Sequence, residues 1–123
     1  MRALVIDDSK AIRLILTKIL KDIGFSVVDA ENGVVALDRL KEEGQVDLAL
    51  VDWNMPEMNG YEFVCAVRKD NTYDEMRMMM VTTETEMSQV VKALEAGANE
   101  YVMKPFTKEM ILEKLSLMGI SLS

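Results

Sequence analysis

Five short, nearly continuous apolar runs, each followed by a stretch of helical periodicity, constrain this chain more than any other feature. The runs are Leu4-Val5-Ile6, Phe25 to Ala30, Val46 to Val51, Met76 to Val81 and Glu100 to Met103. After the first, Ile12, Ile15, Leu16, Ile19, Leu20 and Ile23 recur at spacings of three and four, which predicts an amphipathic helix stopped at Gly24. Asn32-Gly33 opens a second helix carrying Val35, Ala36, Leu37 and Leu40, ending near Gly44. Phe63, Val64 and Val67 mark a third, and Met87, Val90, Val91 and Leu94 a fourth, closed at Gly97. Ile111, Leu115 and Met118 mark a fifth. Strands that are apolar throughout need cover on both faces, and parallel strands need helical crossovers to supply it. Five βα units therefore predict an α/β fold: a doubly wound (βα)5 domain of flavodoxin-like form, a five-stranded parallel sheet with helices on both faces.

The 123 residues suit one domain over 1–123. The eleven methionines, Met78-Met79-Met80 among them, read as adaptable core filler. No apolar run is long enough to span a bilayer, so no membrane insertion is expected. The N-terminus enters a strand directly, without the features of a secretory signal, which predicts a cytoplasmic protein. A formal net charge of −7 disfavours nucleic acid as a partner. Cys65 is the single cysteine and histidine is absent, so neither a disulfide nor a Cys-His pair can form. The chemistry must rest on carboxylates, hydroxyls, amides and lysine.

Ligands of an open parallel sheet bind outside the carboxyl ends of its strands. Asp7 and Asp8 follow the first strand, Asp52 the third, Thr82 and Thr83 the fourth and Lys104 the fifth. Taken singly, Asp8 or Ser9 reads as a helix cap, Lys104-Pro105 as a turn and Thr82 as a strand end. Jointly they place three carboxylates, a hydroxyl and an ammonium on one edge. Crowded carboxylates repel unless a cation neutralises them. Hard oxygen donors with open positions suit Mg²⁺, with Mn²⁺ as a substitute. A carboxylate such as Asp52 can attack phosphorus to give an acyl phosphate. The metal, Lys104 and the Thr82 hydroxyl can balance the charge on the phosphoryl oxygens.

Ile6-Asp7-Asp8-Ser9, Val51-Asp52-Trp53-Asn54-Met55-Pro56, Asn59-Gly60, Val81-Thr82, Ala96-Gly97-Ala98 and Tyr101-Val102-Met103-Lys104-Pro105-Phe106 together resemble the response-regulator receiver family of two-component signal transduction. The resemblance covers the whole chain, and the Asp52-to-Pro56 run with Tyr101 is most similar to single-domain chemotaxis regulators. It implies that a histidine kinase phosphorylates Asp52. It further implies that Asp7, Asp8, Asp52 and the Asn54 backbone carbonyl hold Mg²⁺, that Lys104 contacts the phosphoryl group, and that the Lys104–Pro105 bond is cis. Thr82 and Tyr101 would form the switch. Two positions depart from the family pattern: Thr83, where a small residue is common, and Asn59, where an acidic one is.

No output domain is expected after the last helix, so the signal should pass through the chain's own surface, around Val90 to Leu94, Tyr101 and Lys114, as a monomer. Its target would be a protein such as a flagellar motor switch, with a phosphatase as a further partner. It would catalyse only its own phosphorylation and dephosphorylation. A phosphate sink or relay receiver is the alternative reading. A haloacid-dehalogenase-like phosphatase would need an Asp-x-Asp signature where Asp7-Asp8-Ser9 stands, and a nucleotide or flavin binder would need glycines after the first strand. Asn54 and Glu84 flank the path of a hydrolytic water and neither is bulky or apolar, so neither should seal the site from solvent, and the resemblance to chemotaxis regulators with the same pair implies an acyl phosphate lost in seconds.

Overall fold

A computed structural model of the chain describes residues 1–83 and 87–120. Five strands, β1 (Arg2–Ile6), β2 (Ser26–Ala30), β3 (Leu48–Asp52), β4 (Arg77–Thr82) and β5 (Glu100–Met103), form one sheet in the order β2-β1-β3-β4-β5. Every pairing is parallel. The helices α1 (Lys10–Asp22), α2 (Gly33–Glu43), α3 (Gly60–Arg68), α4 (Met87–Ala96) and α5 (Lys108–Leu117) alternate with the strands. The expected fold is present, and its element boundaries lie within a few residues of the sequence reading. A 3-10 turn at Asn71–Tyr73, which carries no apolar period, was not expected.

Two apolar layers cover the sheet. Ala36 and Leu40 of α2, Val64 and Val67 of α3 and Ala93 of α4 pack on one face with Leu4, Ile6, Ala49 and Val51. Leu16 and Leu20 of α1 and Ile111 and Leu115 of α5 pack on the other with Ala3, Val5, Leu48 and Leu50. Side chains alternate between faces along a strand, so the Met78-Met79-Met80 run divides its payload. Met78 and Met80 enter the first layer and Met79 the second. Central β3 is buried along its whole length, whereas edge strand β2 exposes Ser26 and Asp29. Among the described residues no helix is long and apolar enough to cross a membrane.

Caps fix where the helices begin. Ser9, Asn32, Asn59 and Thr107 each accept a hydrogen bond from a first-turn N–H. Asn59 also forms a reciprocal capping box with Glu62. Asn59, one of the two departures from the family pattern, is thus the residue that starts α3.

Candidate functional site

The strand order brings the ends of β1, β3, β4 and β5 side by side, and Asp7, Asp52, Thr82 and Lys104 stand there. Asp7, Asp52 and Thr82 are the three buried polar residues among the described ones, at 1%, 4% and 1% exposure. Asp8 is exposed. One carboxylate oxygen from each of Asp7, Asp8 and Asp52 lies within 4.8 Å of the others. The Lys104 ammonium sits 3.3 Å from Asp7 Oδ2 and 3.3 Å from Asp52 Oδ1. The sequence had placed these groups on one edge; the structure brings Lys104 into contact with Asp7 and Asp52 and gathers the three carboxylates.

The local backbone explains their placement. The Asp7 N–H donates to the Ala30 carbonyl at 3.1 Å, and its Oδ1 accepts from the Ser9 N–H at 2.8 Å. Ser9 in turn caps α1, so the cap and the carboxylate are parts of one turn. After Asp52 the chain makes a tight three-residue turn in which the Met58 N–H donates to the Pro56 carbonyl at 2.7 Å, with Glu57 between them at φ 68°. Gly60 then packs so closely that any Cβ there would collide with the Asp52 carbonyl and the Met80 methyl. The Lys104 N–H donates to the Thr82 carbonyl at 2.6 Å, tying the two strand ends together, and the Lys104–Pro105 peptide is cis.

The charge count sets the electrostatics. Burial first, and then the neighbouring Asp7, push the Asp52 carboxyl up from 3.8 to about 6, against the pull of Lys104. Burial alone would lower the Lys104 ammonium, but attraction to Asp52 and Asp7 outweighs it and the group is raised. One ammonium therefore does not neutralise the carboxylates around it. That deficit of positive charge, with hard oxygen donors and one exposed member, fits a divalent cation of the Mg²⁺ class.

Thr82 Oγ1 donates to the Thr83 carbonyl at 3.2 Å. Asn54 is exposed in the loop after β3. Glu84 lies outside the described residues. Tyr101 is half-buried on β5, with the Lys114 ammonium 4.6 Å from its ring centre; that ammonium also pairs with Glu100 at 3.3 Å. On α4, Val91 and Leu94 are exposed, but Val90 is 3% exposed and packs inward, so the expected contact face loses Val90. The helical period alone could not say which of two adjacent valines faces the sheet.

Two features escaped the sequence reading. An apolar hollow of about 370 Å³, lined by Ile12, Ile15, Pro105 and Phe106, adjoins Lys104. Arg13 reaches from α1 to the Asp7 carbonyl at 2.6 Å and to Asp29 at 3.0 Å. A lone arginine on a helix carries no signal of such a contact.

Residues 3–116 match the response regulator receiver domain family. The chain is 46% identical over 116 residues to a Campylobacter jejuni protein named chemotaxis protein CheY homolog, a match spanning 94% of this chain and 89% of that protein. It is 42% identical over 118 residues to chemotaxis protein CheY1 of Helicobacter pylori, spanning 95% of each. A solved structure of the Vibrio cholerae chemotaxis protein CheY4, 36% identical, matches it with a TM-score of 0.85 over 94% of this chain and 95% of that one.

Proposed function

From the premise that the chain belongs to the response regulator receiver family, we propose that Asp52 accepts a phosphoryl group from a histidine kinase and that the chain acts in chemotaxis. Receivers of this family are signalling regulators that take phosphate from histidine kinases, not conventional enzymes. The chain would work as one receiver unit over 1–123, cytoplasmic and monomeric, signalling through its own surface. A phosphate sink or relay role in another pathway would use the same site.

The observation that carries the reading is the placement of Lys104 at 3.3 Å from both Asp7 and Asp52, beside three carboxylates drawn from two strands. An Asp52 carboxylate oxygen attacks the phosphorus in line. The new O–P bond forms as the P–N bond of a phosphohistidine, or the P–O bond of acetyl phosphate, breaks with its electron pair leaving on the donor. Lys104 can exchange its carboxylate contacts for phosphoryl oxygens, and the Thr82 hydroxyl can donate to another. Asp7, Asp8 and Asp52, with the Asn54 carbonyl, would hold Mg²⁺, which when bound adds positive charge against the phosphoryl oxygens. The apolar hollow beside Lys104 offers a phosphodonor protein a footing next to the acceptor.

The phosphoryl group adds about −1.5 to −2 of charge. Thr82 would move towards it and Tyr101 would turn inward, reshaping the face that Val91, Leu94, Tyr101 and Lys114 present to a target such as a flagellar motor switch. This is a shift between two populations, not the creation of a new state. The exposed Asn54 leaves a path for water, so the acyl phosphate should last seconds, with Glu84 as a second tuning position and a phosphatase able to shorten it further.

The test is labelling with acetyl phosphate, with and without Mg²⁺, followed by donor removal. Wild-type protein should label only with Mg²⁺ and lose the label within seconds to a minute, and Asp52→Asn should not label. Full labelling of that variant would sink the acceptor assignment; a half-life of hours would sink the chemotactic reading alone.

A further inference from the structure

We infer that Arg13 is a positioning residue for the metal site: it fixes the peptide that aims the Asp8 carboxylate at Asp7 and Asp52. This rests on the proposed reading of those three carboxylates as an Mg²⁺ site.

The need for such a residue follows from how Asp8 is held. Asp7 is buried and gripped at its N–H by Ala30 and at its side chain by Ser9 and Lys104. Asp52 is buried at the end of a central strand. Asp8 is exposed, and among the described residues no hydrogen bond holds its carboxylate. Its direction is therefore set by its main chain, above all by the peptide joining it to Asp7. The oxygen of that peptide is the Asp7 carbonyl, and Arg13 Nη1 donates to it at 2.6 Å. The same guanidinium is anchored by Nε to Asp29 Oδ2 at 3.0 Å, and the Arg13 side chain is only 15% exposed. Arg39 Nε donates to the Asp29 carbonyl at 3.2 Å, so the anchor strand is itself held. A rigid, forked donor suits this bridge, because one head must reach two acceptors at once.

Charge and position make opposite demands, which renders the inference decidable. Arg13 is a cation close to a cation-binding site. On electrostatics alone, removing it should tighten Mg²⁺ binding. If it aims a ligand, removing it should weaken binding. Residues that orient metal ligands typically contribute about 10–100-fold to affinity. An exposed carboxylate that contributes one of three anionic ligands should fall at or below the low end of that range.

The experiment is Mg²⁺ titration of the unphosphorylated protein by calorimetry, cross-checked by Trp53 fluorescence, with thermal melting to confirm that each variant is folded. Arg13→Gln should raise the Kd for Mg²⁺ roughly three- to tenfold. Arg13→Lys keeps the charge but lacks the fork, and should raise it similarly. Asp29→Asn, which leaves the grip on Asp7 but loosens its anchor, should have a smaller effect in the same direction. Loss of global stability does not move a Kd measured on folded protein, so a merely structural Arg13 would leave all three values unchanged. Tighter binding by Arg13→Gln with no change in Arg13→Lys would show a charge effect alone and overturn the inference. If Arg13→Gln does not fold, the Lys and Asn variants decide. Failure of the wild-type protein to bind Mg²⁺ would instead overturn the site reading itself.

Discussion

The two ends of the sheet each take a cation partly out of water, and they satisfy it in opposite ways. At the carboxyl end, Lys104 meets two carboxylates, each at 3.3 Å. At the amino end, Arg68 spreads its fork over neutral oxygens: the carbonyls of Gly97 at 3.0 Å, Tyr73 at 2.8 Å and Met76 at 2.7 Å, and Asn99 Oδ1 at 3.1 Å. Those oxygens belong to the C-terminus of α4, the 3-10 turn, the residue before β4 and the α4–β5 connection, so one guanidinium joins them all to α3. Gly97, at φ 124°, lies under the Arg68 stem, where any Cβ would collide. Asn99 Oδ1 also accepts from the Met78 N–H at 2.8 Å. At the Arg68 end four of the five guanidinium N–H groups meet an oxygen acceptor. The Lys104 end carries more negative than positive charge, and its Asp52 carboxyl is raised, by burial first and by the neighbouring Asp7 second. The site proposed to exchange partners is left unbalanced; the joint between α3 and its neighbours is not.

The sharpest way to break this comparison is to remove each cation. Arg68→Met removes a donor from three carbonyls and from the Asn99 oxygen, of which the Tyr73 carbonyl and Asn99 Oδ1 keep a second one, and should cost on the order of 2–4 kcal/mol in urea denaturation. Labelling of Asp52 per folded molecule should be unaffected. Lys104→Met should do the reverse, costing less stability, tightening Mg²⁺ by removing a competing cation, and suppressing phosphoryl transfer. Equal stability losses would erase the distinction between the two ends.

A smaller effect tests the burial of the Asp52 charge directly. In metal-free protein at pH 7, Asp52→Asn should stabilise the fold by about 1–3 kcal/mol, since each unit of a raised carboxyl corresponds to about 1.4 kcal/mol. The folded-state carboxyl, at about 6, takes its proton before the unfolded one at 3.8. The penalty of the charged form is therefore full above pH 6 and fades as the pH falls towards 3.8. The gap between wild type and Asp52→Asn, read from melting curves, should close across that window, and added Mg²⁺ should narrow it at pH 7. A gap that widens on acidification would contradict the burial argument. The smallest effect concerns water: Asn54→Arg should prolong the acyl phosphate only several-fold, by obstructing a path at the rim, without altering Mg²⁺-dependent labelling.

The carboxyl end was legible in the sequence because its chemistry sits at strand ends, which apolar runs mark. Asp52 and Lys104 each close such a run. The burial of Asp7 against the exposure of Asp8 was not legible, since adjacent aspartates look alike until the turn through Ser9 sets their directions. The amino end was nearly invisible. Arg68 falls on a helical pattern where an arginine reads as a solvated surface residue, as Arg13 does at the carboxyl end, and the acceptors of both are mostly backbone oxygens, which every residue possesses. The 3-10 turn was missed for a related reason: its place is fixed by Arg68 and by the Asp70 cap on Thr72, not by any periodic apolar residue.

The contact between Lys104 and Asp7 joins residues 97 apart in sequence, and that between Lys104 and Asp52 residues 52 apart. On the proposed reading, a chain emerging from the ribosome carries its acceptor aspartate long before it carries the lysine beside it. A half-made chain, or one nicked before the fifth strand, would thus hold the nucleophile without the means to use it. Competence to receive the signal would then await the end of the fifth strand, with α5 and its share of the core still to follow.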